Sequence, residues 1–344
     1  MRNTYQKYPF WVTEPEKVFG IFDRYAERHV LCKSAGGLEI PYYTLGEKPD
    51  YHSQANYSSA CGAGNPGFYA DKKGKSPAYM LIGATHGMET EGIMAVTNLV
   101  SLIGTGRDLA GEERPSLVDS YRKSDCRLVI VPIYNLDGRS RCELDSMLDE
   151  PMRNLRYYSQ GTWKDGSLCG WPGCKAIHPI KDAVDYLGAY YNDDGVNLMH
   201  DNFFCPMAKE TAALMKLCSD EAPDIVIGLH GGDNTTNVLL QPSYTPDYIR
   251  QAVWKLAKHT ESIAAGFGLT CRIAEPRKTV ESYPPPSFNL TSAIHHVCGA
   301  VSSTYESNQG LTEENSFSAE AILLHHYALF EAIFRTQAGV KQQG

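Results

Sequence analysis

Four short apolar runs, at 78–84, 127–133, 224–229 and 300–305, constrain this chain more than any other feature. Each is almost continuously hydrophobic rather than alternating, which is the pattern of a strand covered on both faces. Around them lie 91–103, 208–220, 247–267 and 319–334, where apolar residues recur three or four positions apart, as Leu214, Met215 and Leu217 do in the second. That spacing predicts helices with one buried face. Buried strands alternating with such helices predict the α/β class, a sheet with helices on both faces. At 344 residues the chain is long for one domain but within the range of α/β folds, so a single catalytic-sized domain over 1–344 is expected. The stretch 145–192 differs: it is rich in Tyr, Gly, Trp, Pro and Lys and has no clear period. Linkers seldom carry so many aromatics, so it reads as an ordered insertion near the site.

Composition narrows the function. The net charge is -8 with no long run of Lys or Arg, which argues against a nucleic-acid or anionic-membrane surface and for a small soluble partner. No stretch approaches the roughly 18 apolar residues that span a bilayer. Residues 1–22 mix charged and aromatic side chains and lack the apolar core of a signal peptide. Several of the ten cysteines sit inside apolar segments, among them Cys126, Cys218 and Cys298, so a disulfide scaffold is not expected and a reducing cytoplasm is. Cys169 and Cys174 have no second pair at matching distance and read as a loop with two free thiols. The pairs His295-His296 and His325-His326 lack ligand spacing and read as polar-face or capping residues.

The chemistry gathers at the ends of the apolar runs. After the first comes Gly83-Ala-Thr-His86-Gly-Met-Glu89, followed by a helical pattern, which places His86 and Glu89 on a turn at the carboxyl end of a strand, where open α/β sheets bind ligands. Imidazole and carboxylate are both zinc ligands, and a catalytic zinc has three protein ligands and one open position. The third is His230, again at a strand end and followed by two glycines that allow close approach. A further strand end supplies Glu306. A carboxylate emerging from an apolar strand needs a partner or a task, because burying it alone is costly. Beside a zinc-bound water it has one, as general base and then general acid. No G-x-S-x-G elbow supports a serine route.

These residues, with Pro132-Ile-Tyr-Asn-Leu-Asp-Gly138 and Gly195-Val-Asn-Leu between them, resemble the zinc carboxypeptidase family typified by pancreatic carboxypeptidase A over most of the chain. The resemblance implies a mixed, mostly parallel twisted sheet flanked by helices, one zinc ion on His86, Glu89 and His230, and hydrolysis of a peptide or amide bond with Glu306 as general base. It also implies an arginine that polarises the scissile carbonyl, for which Arg139, Arg141 and Arg153 qualify by position and Arg141 is preferred. A mobile tyrosine is implied some twenty residues before the catalytic Glu, and Tyr283 stands there.

One departure bears on the substrate. Where the family carries an Asn-Arg pair that grips a terminal carboxylate, this chain has Met199 and His200. Arg binds a carboxylate through a two-pronged fork, whereas a neutral His offers one donor. Either another arginine does the work, Arg153 or Arg156 of the insertion, or the substrate has no free carboxylate there; the latter is preferred. The reading is thus an atypical carboxypeptidase or amidase acting on a peptide or small amide, with Arg139, Arg153, Met199 and His200 as substrate-binding candidates. Its alternatives are a deacylase of the succinylglutamate desuccinylase and aspartoacylase type, and a non-catalytic binding module. The oligomeric state is open.

Overall fold

A computed structural model of the protein describes residues 4–235, 237–271 and 283–336. The strands are β1 (Glu27–Lys33), β2 (Glu39–Leu45), β3 (Ala78–Gly83), β4 (Arg127–Val131), β5 (Gly161–Trp163), β6 (Val184–Leu187), β7 (Ile225–Gly231), β8 (Val238–Leu240) and β9 (Val301–Ser307). Seven of them form one mixed sheet in the order β1-β2-β4-β3-β7-β9-β8, and β5 and β6 form a separate antiparallel pair. The middle of the large sheet, β4-β3-β7-β9, is parallel, and its two flanks are antiparallel.

The four predicted runs are the four parallel strands. Every residue of β3 and β4 is buried, as expected where helices cover both faces of a sheet. On one side, helices Glu91–Thr105, Pro115–Ser124, Asp247–Gly266 and Ala319–Arg335 pack against one another; on the other, Lys209–Glu221, Leu290–Cys298 and Tyr57–Gly62 do so. Helix Glu91–Thr105 is buried from Glu91 through Leu102 and ends where Gly106 turns left-handed and returns its N–H to Leu102 O. Among the described residues, no helix is long and apolar enough to cross a membrane.

Several elements escaped the pattern. The hairpin β1-β2 lies at the sheet edge, where a strand is only half covered and mixes Glu27, Arg28 and Lys33 with apolar residues; such charges also discourage edge-to-edge pairing. The insertion is built from short pieces: the one-turn helix Met152–Leu155, a π-helical turn over Arg156–Gln160, and the β5-β6 pair.

The paired histidines also differ from expectation. His296 is exposed, but His295, His325 and His326 are buried, and their ring nitrogens bond to main-chain oxygens of Ala300, of Ala321 and Thr270, and of Ile322. A helix sandwiched between a sheet and another helix has little polar face, so these imidazoles sit inside.

Burial holds His326 neutral, its pKa pushed down to about 4 from the ordinary 6.5. Below the ordinary value the unfolded chain takes up a proton that the folded chain refuses until about pH 4, so stability drops as pH falls through that window, by up to about 3 kcal/mol from this one group. Replacing it with Phe, which suits the neighbouring Tyr305 and Phe330 rings, is expected to flatten the loss of stability on the acid side. Urea midpoints between pH 7 and pH 4.5 check this, and an unchanged slope in His326→Phe contradicts it.

Candidate metal centre

The chain runs from β3 to β4 in one direction across the sheet and then returns to place β7 on the other side of β3. Such a reversal opens a crevice at the carboxyl ends of the strands. At the end of β3, Ala84 takes a left-handed φ of +48°, and the next turn is closed by Glu89 N donating to His86 O at 3.0 Å. This brings the side chains of His86 and Glu89 to the same side. Gly87 between them has no room for a side chain: a Cβ there would lie 2.2 Å from Arg139 N and 2.4 Å from Gly138 C.

His230 stands at the end of β7, opposite Glu306 in the parallel register of β7 and β9. The glycines after it serve the approach: a Cβ on Gly232 would come within 3.0 Å of a Glu306 oxygen. Three strand ends thus converge. Nδ1 of His86 lies 2.7 Å from one oxygen of Glu89, and Nδ1 of His230 lies 2.8 Å from the other. The two imidazoles stand edge to face with centroids 5.0 Å apart.

The donor atoms of His86, Glu89 and His230 all fall within 4.8 Å of one another, and all three residues are buried. The Nδ1 atoms of two buried imidazoles thus face the two oxygens of one buried carboxylate, a set of lone pairs that suits a cation between the side chains. A two-His, one-carboxylate set fits a divalent metal ion. On its other ring nitrogen, His86 meets Asn197 Oδ1 at 3.2 Å, and that oxygen also accepts from Met199 N at 3.0 Å, which fixes the amide's orientation. The ring of Tyr190 stacks on His86, with centroids 3.6 Å apart and planes 7° off parallel.

The electrostatics are those of a preformed cation site. Burial opposes ionisation of Glu89, but the two imidazoles outweigh it and hold the carboxyl at about 2. Burial likewise disfavours a charged His230, yet Glu89 and Glu306 together raise it. Glu306 goes the other way: burial, against the opposing pull of His230 and with help from Glu89 and Asp233, lifts it to about 7.

The other sequence candidates separate. Arg141, preferred as the group that polarises a carbonyl, is committed elsewhere: it donates to the oxygens of Leu187, Gly188 and Tyr191 at 3.0, 3.2 and 2.7 Å and pairs with Asp193. It clasps the end of the insertion to the body. Arg139 is buried and donates to Gly87 O at 3.3 Å, to Cys142 O at 3.0 Å and to Leu144 O, so it braces the ligand turn from behind rather than binding substrate. Met199 joins the main hydrophobic core. Tyr283 is 97% exposed and does not join the cluster; residues 272–282 before it lie outside the described residues. Arg153 is exposed on its short helix. Arg156 lies close enough to Asp233 to lower that carboxyl against the larger upward effect of burial. His200 accepts a hydrogen bond from Lys175 Nζ at 2.9 Å.

The Pro132–Gly138 motif proves to be a joint. Asn135 Oδ1 accepts from Gly138 N at 3.0 Å and its amide donates to Ala189 O at 3.2 Å, the same oxygen that receives Gly87 N at 2.7 Å. Asp137 accepts from Gly36 N and Asp193 N at 2.9 and 3.1 Å. The end of the insertion is thereby tied to the ligand turn, and Tyr190 follows directly against His86.

Solved structures with this architecture carry one description repeatedly. A metallo-carboxypeptidase from Burkholderia cenocepacia is similar over 92% of this chain and 66% of its own, with a TM-score of 0.54 and 16% identity. A metallo-carboxypeptidase from Pseudomonas aeruginosa is similar over 93% of this chain and 66% of its own, with a TM-score of 0.53 and 12% identity. The fold is that of the metallo-carboxypeptidases. At these identities the likeness is one of fold, and the chain spans about two thirds of the length of either structure. No family model and no curated protein matches the sequence.

In this carboxypeptidase fold the His-Glu-His cluster is expected to take up one divalent ion per chain. His86→Ala and His230→Ala should each abolish stoichiometric binding, read by elemental analysis after dialysis. Asn197→Leu should keep the ion but weaken its hold about 10- to 100-fold, read by competition with a chelator. Full metal occupancy in both histidine variants would contradict the assignment.

Proposed function

We propose that this chain is a zinc-dependent hydrolase of peptide or amide bonds, an atypical carboxypeptidase or amidase. The observation that carries the reading is Glu306, a half-buried carboxylate directly across the ladder from His230, without an ion-pair partner among the described residues. His86, Glu89 and His230 hold the ion, which when bound polarises the substrate carbonyl and acidifies water. Glu306 accepts the proton of the attacking water and returns it to the departing nitrogen. Its raised pKa suits both halves of that task, since a group that titrates near 7 gives up a proton as readily as it takes one.

With Arg139 and Arg141 committed to backbone oxygens, Arg156 is the insertion's arginine whose charge reaches the rim of the cluster, through Asp233. We assign it to the negative oxygen that develops on the substrate. That all ten cysteines are free thiols supports a reducing compartment and hence the cytoplasm.

Glu306→Gln should retain the metal and lose about 100- to 10,000-fold in kcat. In the parent protein kcat/KM should rise with pH through the ionisation of Glu306, because the carboxylate and not the acid accepts the proton, and the bound cation should draw that ionisation below 7. The measurements are metal content and hydrolysis of an amide and dipeptide library from pH 4.5 to 8.5. A metal-loaded protein that cleaves no member of the library is a binding module instead, and a Glu306→Gln variant of full activity removes the proposed base.

A further inference from the structure

An imidazole ligates through one nitrogen, whose lone pair must lie in the plane that meets the ion. At His86 the nitrogen is chosen by Asn197, whose oxygen already accepts from Met199 N at 3.0 Å and so faces Nε2 as an acceptor at 3.2 Å. Nε2 therefore carries the hydrogen, and the lone pair of Nδ1 points at Glu89, 2.7 Å away. Such in-plane contacts resist a swing of the ring only weakly, because a hydrogen bond tolerates about 30° of tilt. What blocks the swing is Tyr190, whose ring lies flat on the imidazole with centroids 3.6 Å apart and planes 7° from parallel. Among the described residues no ring is stacked in this way on His230, whose ring contact is edge to face with His86.

Tyr190 is itself held on both sides along the chain. Ala189 N donates to Tyr158 O and Tyr190 N to Ser159 O, both at 2.8 Å, while Ala189 O receives Gly87 N and the Asn135 amide. After it, buried Tyr191 donates its hydroxyl to Cys174 O at 2.8 Å. Arg141 spans the same segment through the oxygens of Leu187, Gly188 and Tyr191. A Cβ on Gly188 would lie 2.1 Å from Ser159 O, so the segment has no room to slide. The stack is therefore imposed by the backbone, and its geometry is informative. Two neutral rings prefer an offset or edge-on arrangement with centroids about 4.5–7 Å apart, because their negative faces repel. A separation of 3.6 Å between parallel rings leaves almost no offset. That arrangement is favourable when one ring is electron-poor, as an imidazole becomes when its lone pair is given to a cation.

We infer that Tyr190 is a positioning residue of the metal centre: its π-face holds the His86 ring in the plane of ligation and favours the cation-bound form of that imidazole over the free one. The inference rests on the assignment of the His-Glu-His cluster as a metal centre and on no particular substrate. It makes the insertion part of that centre, since the segment Arg141 clasps is the one that carries Tyr190.

The test reads the metal rather than turnover. Zinc and cobalt(II) affinities are measured by competition with a chelator for the full chain, Tyr190→Phe and Tyr190→Leu. Tyr190→Phe keeps the π-face and should bind both ions within about twofold of the parent, whereas Tyr190→Leu should bind them about 3- to 30-fold more weakly. The visible bands of the cobalt-loaded protein should shift in Tyr190→Leu and stay in place in Tyr190→Phe, since only the former frees the ligand ring. Phenylalanines of increasing fluorine content in place of Tyr190 keep the ring's shape while draining its π-face, so affinity should fall stepwise with fluorination even if Tyr190→Leu does not fold. Parent-like affinity in Tyr190→Leu, or affinity indifferent to fluorination, overturns the role of Tyr190 and leaves the metal centre standing. A parent chain that binds neither ion removes the metal centre itself, and the inference with it.

Discussion

A carboxylate charged at 4% exposure, Glu89, is the constraint around which this molecule is organised. An isolated buried carboxylate would give up its charge, because the loss of hydration costs several kcal/mol. Here it stays ionised because imidazoles from the ends of β3 and β7 approach its two oxygens at 2.7 and 2.8 Å. That arrangement demands that the two strands be neighbours, parallel and in a fixed register, and that the turn after β3 be tight. The sheet order, the left-handed Ala84 and the bare Gly87 are all conditions for it.

The same low-dielectric setting divides the titratable groups by role. Glu89 is driven down to about 2 and Glu306 up to about 7, although both are carboxylates withdrawn from water at the same site. The difference is the number of imidazole neighbours: Glu89 lies between two, whereas Glu306 faces one and is pushed upward by burial, Glu89 and Asp233. One carboxylate is thereby suited to hold a cation and the other to exchange a proton.

Much of this was legible in the sequence because the relevant signals are local. Continuous apolar runs fix which strands are buried, and a His or Glu at the end of such a run has little choice but to emerge at the sheet's carboxyl edge. His86, Glu89, His230 and Glu306 could be named on that ground. Elements with weaker local signatures were not visible: the edge hairpin β1-β2, the short β8, and helix Leu290–Cys298, whose buried His295 reads as polar in sequence. Asn197 lay in a segment marked for its resemblance to a family motif, but its contact with His86 spans 111 positions and has no local trace.

The arginines show where sequence reading stops. Arg139, Arg141 and Arg153 are equivalent candidates along the chain, because an Arg carries the same charge whether or not it is occupied. What removes Arg141 is a set of acceptors near residues 187–193, and what removes Arg139 is the backbone around Gly87 and Leu144. Lys175 is the converse case, unremarkable in sequence and brought within 2.9 Å of His200 Nε2 by the folding of the insertion. The sequence by itself determined the class of sheet and that His86, Glu89, His230 and Glu306 stand at the ends of its strands, since each follows from residue type and short-range pattern. Which cations are spent on backbone oxygens and which face the crevice was decided only by tertiary structure, because a guanidinium or ammonium is committed by acceptors that arrive from elsewhere in the chain.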